Sequence, residues 1–208
     1  VLALGESLAG PALVSAVDWL LRSSGEESGL LHRLRLALLG AGDDRNQGEG
    51  WPWYPQTAAW VAPTALTVLA LEKVQAREPS AGIGRRLNSA RRYLWSRMCS
   101  DGGWNHGSTR ALGYEAASYP ETTGVALLAL RGGRSPKLAQ AISAAERHLG
   151  ECRSSSGRSW LRLALAAHGR PVPALAGDEP PWRGVADTAL YLLASRAAGG
   201  AAVLRGAA

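Results

Sequence analysis

Tryptophan and tyrosine carry the chain's most pointed chemistry, and they are clustered. Trp51, Trp53, Tyr54 and Trp60 lie within ten residues, just ahead of an apolar helical segment that begins at Thr64. Asn105, His106, Tyr114 and Tyr119 occupy the corresponding stretch ahead of a second such segment, which begins near Thr123. An indole face can hold an apolar chain or a cation, each contact contributing about 0.5–2 kcal/mol. The same rings can instead cover helix ends as packing. Both readings stay open for Trp51 and Trp53, and packing is the simpler one for Trp60. Glu121 follows Pro120 where the second segment starts. A Pro-Glu pair suits a first helical turn, because proline gives up an N–H that has no partner there and the carboxylate faces the positive end of the helix dipole. Asp187 has a similar place ahead of a third segment.

Other chemistries find less support. Two cysteines, Cys99 and Cys152, make no disulfide framework, and neither stands in a paired zinc-ligand spacing. His32, His148 and His168 are single residues on helical segments with no histidine four positions on. No glycine-rich phosphate loop is present, and Gly157 and Ser159 lack the second glycine of a nucleophile elbow. The expectation is therefore no metal and no cofactor.

The net charge of +6 raises the question of nucleic acid. Arginine supplies 21 of the 23 basic residues, and they are scattered, with small clusters only at Arg85-Arg86 and Arg91-Arg92. No basic stripe or tail appears, so the reading is an arginine-coated helical surface and no nucleic-acid partner. With 46% apolar residues the chain can build a core. No apolar run is long enough for a transmembrane segment.

The elements that must position these residues are helices. Ser15–Arg22, Leu30–Leu39, Thr64–Ala76, Arg85–Met98, Thr122–Arg131, Lys137–Cys152, Trp160–His168 and Val185–Ala198 are rich in Ala, Leu and Arg, which favour helix. Gly-Gly and Pro-containing breaks separate them, and no β-alternation is evident. The fold class is all-α.

The chain also repeats itself. Thr64-Ala65-Leu66-Thr67-Val68-Leu69-Ala70-Leu71 resembles Thr123-Gly124-Val125-Ala126-Leu127-Leu128-Ala129-Leu130, and both resemble Thr188 to Ala194. These helices are apolar nearly all round and should be buried on most faces, with Leu66, Leu69, Leu127, Leu128, Leu130, Leu190 and Leu193 in the core. More polar helices lie between them. Such alternation predicts stacked helix pairs, as a solenoid or a closed ring.

One segment, Ala90–Trp104, carries a more specific pattern. Its Tyr93-Leu94 pair followed by Gly102 and Trp104 resembles the QW repeat of squalene–hopene cyclases and of protein prenyltransferase β subunits, with Met98 where the family has Gln. Degenerate copies start at Trp19-Leu20 and His148-Leu149, the latter keeping Gly157 at the matching place. The order Trp51-Pro52-Trp53, Pro63-Thr64-Ala65, Asp101 to Asn105 and Tyr119 to Thr123 resembles bacterial prenyltransferase/squalene oxidase repeat proteins over most of the chain. The resemblance implies an α/α toroid, or a partial toroid (arc), of antiparallel inner and outer helix pairs. It implies a single domain spanning residues 1–208. Because Val1–Leu4 matches the middle of a buried helix, truncation at the N-terminus is expected, and the cytoplasm is the default location.

The family's activities map incompletely. Terpene cyclases of this class protonate an alkene or epoxide with an Asp-x-Asp-Asp motif at an inner-helix start. Glu121 falls at the proton-donating position, but its flanking acidic positions hold Tyr119 and Thr122. Glutamate ordinarily has a pKa of about 4.3, and burial without partners makes it a weaker acid, so alkene protonation is ill served. A capping role and a milder acid–base or hydrogen-bonding role both remain. Family zinc sites use an Asp-x-Cys order, whereas here Cys99 precedes Asp101, with His106 nearby. In a toroid the loops leading into inner helices line one mouth of the cavity. The resemblance thus places a candidate site at Trp51, Trp53, Tyr54, Asn105, His106, Tyr119 and Glu121. Two functions follow. One is a helical-repeat module binding a lipid, an isoprenoid or a protein partner in its concave face. The other is an enzyme acting on a polyprenyl or triterpenoid-like substrate with Glu121 as acid/base. The oligomeric state is left open.

Overall fold

A computed structural model describes residues 10–25, 49–108, 110–111, 114–172 and 184–199. The expected helix Leu30–Leu39 and the segment Val1–Leu4 lie outside the described residues. The described part is all-α, with seven helices. It divides into two compact units, the first ending at Ser96 and the second beginning at Arg97. The QW-like segment Ala90–Trp104 contributes to both.

In the first unit, α1 spans Pro11–Arg22 and opens with proline at its first position. Helix α2, Val61–Arg77, starts where the extended backbone of Trp60 ends. It is buried along nearly its whole length, from Val61 through Ala65, Val68 and Leu69 to Val74. A three-residue break then leads to α3, Ala81–Ser96, which packs back on α2. Helix α3 is amphipathic: Ile83, Leu87, Ala90 and Leu94 form its buried stripe, while Arg85 and Arg92 face water. Arg91 reaches Glu72 of α2 at 2.6 Å.

The second unit opens with a long turn region that includes a short antiparallel pair, β1 (Arg110–Ala111) and β2 (Tyr114–Glu115). Helix α4, Pro120–Ala129, follows and is buried from Thr122 to Ala129. Helix α5, Leu138–Glu151, buries only the small residues Ala141, Ala144 and Ala145. Helix α6, Ser155–Ala167, is started by Ser154, whose side chain accepts the Gly157 N–H at 3.2 Å. Gly157 therefore sits in the first turn of this helix.

Helices α4 and α6 run in parallel. Glu121 meets Ser154 at one end, Gly124 lies against Trp160 and Leu161 in the middle, and His168 contacts the Leu127 carbonyl at the other end. A Cβ at Gly124 would come within 2.7 Å of the Leu161 nitrogen, so the close approach needs glycine. Helix α7, Val185–Ala198, packs mainly on α6.

The expected core holds at Leu69, Leu127, Leu128 and Leu130, all buried. It is corrected at Leu66, Leu190 and Leu193, which are half-buried. Helix α7 has one main packing partner among the described helices, so its stripe is only partly covered; Val185 and Leu192 face solvent.

Candidate functional site

The two turns that lead into α2 and α4 are built alike. In the first unit, Trp51 N–H donates to Thr64 Oγ1 at 2.8 Å, and Trp60 N–H donates to the Trp51 carbonyl at 3.0 Å. In the second, Trp104 N–H donates to Thr123 Oγ1 at 3.0 Å, and Tyr119 N–H donates to the Trp104 carbonyl at 2.9 Å. The glycine before each tryptophan leaves room for the threonine: a Cβ on Gly50 would sit 2.8 Å from Thr64 Oγ1, and one on Gly103 would sit 2.6 Å from Thr123 Oγ1. The threonine one turn into each helix thus pins the tryptophan turn to the helix start.

This brace sorts the expected site residues of the first unit. Trp51 is buried, its indole N–H donates to the Leu20 carbonyl at 2.8 Å, and the Arg86 guanidinium lies 3.8 Å over its ring. Arg86 also donates to the carbonyls of Glu49 and Ser23, at 2.6 and 2.8 Å. Burial pulls the Arg86 guanidinium below its ordinary range, and the Glu49 charge works against that shift. Trp51 is therefore a packing residue. Between the paired Trp51 and Trp60 the loop bulges outward, with Gln56 in the left-handed region at φ 64°. It presents Trp53 and Tyr54 to solvent, 53% and 74% exposed, while Trp60 is 38% exposed.

The second unit divides in the same way. Trp104 is fully buried. Asn105 is also buried: its carbonyl accepts from Gly107 and Ser108 N–H, and its amide donates to the Ser108 and Ala117 carbonyls. Those bonds fold its own loop. His106 and Tyr119 stay near the surface as a tilted ring pair, with centroids 5.2 Å apart.

Glu121 lies in the first turn of α4, exposed, and accepts the Ser154 hydroxyl proton at 2.7 Å. Ser155 and Asp187 approach within 3.5 Å. The starts of α4, α6 and α7 are thus side by side, each with a polar side chain where the helix dipole is positive. The Glu121 carboxylate is thus open to solvent, with the Ser154 hydroxyl as its side-chain donor.

One side-chain cluster has no sequence signal at all. Ser118 donates its hydroxyl to Asp101 Oδ2 at 2.8 Å, and its Oγ lies 2.6 Å from His148 Nε2. These residues stand 17 and 30 positions apart, so no local spacing reveals them. Asp101 also accepts from the backbone N–H groups of Ser118 and Gly103. Burial works to raise the Asp101 carboxyl, but the bonds from Ser118 and Gly103 and the Arg147 charge outweigh it and hold the group below its ordinary range. The cluster does not have the arrangement of a hydrolytic triad. The carboxylate binds the serine rather than the histidine, where it takes the hydroxyl proton and would repel a developing oxyanion, and Ser118 is buried. Cys99 and Cys152 are buried free thiols, both raised chiefly by burial, which makes them poor nucleophiles.

Among the described residues, no group of three or more His, Cys, Asp or Glu side chains is placed to hold a metal ion. No described helix is long and apolar enough to cross a membrane. Compared with models of protein families, with curated proteins and with solved structures, the chain matches none.

Proposed function

We propose that this chain is a helical-repeat binding module of the squalene-cyclase and prenyltransferase-like kind, whose inner helices belong to an α/α toroid or arc and whose aromatic loops hold an isoprenoid lipid. Three features support this reading: the repeated tryptophan–threonine brace, the parallel run of α4 and α6 with α5 between them in sequence, and the absence of a complete acidic motif around Glu121. The observation that carries the binding role is the pair Trp53 and Tyr54. Both are held out to solvent on a loop whose two ends are joined by the Trp51–Trp60 pairing. Large rings kept exposed at that cost in apolar hydration suit a ligand contact.

The test is retention of lipid. The protein is incubated with a lipid extract and with farnesol as a defined probe, re-purified, and analysed by mass spectrometry. Retention of isoprenoid by the native chain, lost in a Trp53→Ala/Tyr54→Ala variant, is the expected result. No retention by the native chain, or equal retention by the variant, overturns the proposal; capture of a protein in place of lipid would point to a partner-binding module.

A second reading, an enzyme acting on a polyprenyl or triterpenoid-like substrate, draws on the accessible Glu121 carboxylate and its Ser154 hydroxyl donor. It requires product formation that Glu121→Gln abolishes.

A further inference from the structure

We propose that the loop between Trp51 and Trp60 docks the protein on the surface of a lipid bilayer, with the Trp53 and Tyr54 rings entering the boundary between headgroups and acyl chains. This goes beyond the isoprenoid reading: it concerns a membrane surface and needs no bound lipid molecule.

The loop suits that boundary first by what it lacks. From Gly50 to Leu71 the sequence carries no Asp, Glu, Lys or Arg, so no charge leaves water when the tip does. Pro52 and Pro55 present no backbone N–H. Several carbonyls are occupied from within the unit. The Thr57 hydroxyl donates to the Tyr54 carbonyl at 2.7 Å, the Tyr93 hydroxyl to the Ala59 carbonyl at 2.7 Å, and Trp60 N–H to the Trp51 carbonyl at 3.0 Å. Each such bond is one polar group fewer to strip of water.

What the loop presents fits the same place. Tryptophan and tyrosine join an apolar body to a polar edge and concentrate at membrane–water interfaces. Trp53 and Tyr54 are the most exposed large side chains of the loop. Their base is fixed in advance: Trp51 is bonded to Thr64 and Trp60, and Arg86 stacks on its ring while holding the Ser23 and Glu49 carbonyls. A tip on a rigid base loses little conformational freedom on insertion.

Shape selects a bilayer over a protein partner. A stable protein interface takes about 800 Å² from each side and about ten hydrogen bonds. An outward bulge tipped by two adjacent rings offers neither. A bilayer asks for no matching shape, and the net charge of +6 adds attraction to anionic headgroups. Docking of this kind calls for no spanning helix.

Flotation of the full chain with vesicles of pure phosphatidylcholine tests this. These vesicles carry no net charge and no isoprenoid, so neither the arginines nor isoprenoid binding supplies the signal. The native chain should float with them, and Trp53→Ala/Tyr54→Ala should lower its partition coefficient about tenfold or more. Hydrogen exchange on the native chain locates the contact whatever the folding of the variant: exchange should slow across Trp53–Ala59 when vesicles are added. No flotation of the native chain, undiminished partition of the double variant, or protection that spares this loop overturns the proposal. A dimer seen by sedimentation and lost in the double variant seats the rings on a second copy and overturns it as well. Farnesol retention is measured without vesicles, so the docking and the isoprenoid reading fail separately.

Discussion

The approach to α2 and the approach to α4 share one backbone design and close it with different side chains. In both, a glycine–tryptophan turn is bonded to a threonine one turn inside the following helix. The first is sealed from α3 by Arg86 stacked on Trp51 and by Tyr93, whose hydroxyl donates to the Ala59 carbonyl at 2.7 Å. The second is sealed by the Asp101–Ser118–His148 chain and by Thr122, whose hydroxyl donates to the Trp104 carbonyl at 2.6 Å. Ala59 and Ser118 each stand directly before the residue that pairs with the tryptophan, Trp60 or Tyr119. An alanine there leaves the first turn to a stacked guanidinium, which stays charged at any working pH. A serine there recruits a carboxylate and an imidazole, which do titrate. The lesson is that one fold element, repeated, can be made indifferent or sensitive to protons by what its neighbours supply.

The largest expected effect tests the shared part. Trp104→Ala and Trp51→Ala should each cost about 3–5 kcal/mol in thermal or denaturant unfolding, since both indoles are buried. An unchanged midpoint with lost ligand binding would move either residue from scaffold to site. Next come the threonines. Thr64→Val and Thr123→Val each leave a buried tryptophan N–H without its acceptor, at about 1–3 kcal/mol, and similar losses in the two would establish the braces as equivalent.

Acid should separate the two regions. A carboxyl held below its ordinary 3.8 takes up protons less readily folded than unfolded. Its stabilisation is therefore present above that value and fades as the pH falls further. Hydrogen exchange at the Trp104 amide should accelerate in strong acid relative to that at the Trp51 amide, and Asp101→Asn should remove the difference. The smallest effect belongs to the exposed rings: Trp53→Ala and Tyr54→Ala should change stability by no more than about 0.5 kcal/mol. A larger loss would make this loop a packing element and withdraw the basis for ligand contact.

How much of this was legible in the sequence depends on the range of the interaction. Helix α7 has the bounds read from its residues alone, Val185–Ala198. Helix α6 begins at Ser155, five residues before the expected Trp160, because the Ser154 cap turns a Ser/Gly-rich stretch, weak in intrinsic propensity, into a helix start. Helix α3 ends at Ser96 rather than Met98, as Cys99 N–H turns to the Gly103 carbonyl. The burial of Trp104 could be anticipated from the Gly-Gly turn before it. The burial of Asn105 could not, because its partners are carbonyls and amides of its own loop. Ser118 and His148 were illegible because their value lies in a meeting across tens of residues, which neither period nor spacing records.

The glycine at the α4–α6 crossing bears on the order in which the second unit takes shape. Helix α4 has ten residues with a glycine at its middle, and helices that short are marginal in water by themselves. What holds it is a neighbour whose last contact, His168 on Leu127, comes from 41 positions further along the chain. A chain that has emerged only through α5 has one of the two helices that cover α4 and lacks the larger contact. The tryptophan turn, whose threonine anchor belongs to α4, shares that dependence. The expected outcome is weaker amide protection in α4 for a chain ending at Glu151 than for the full chain, measured by hydrogen exchange.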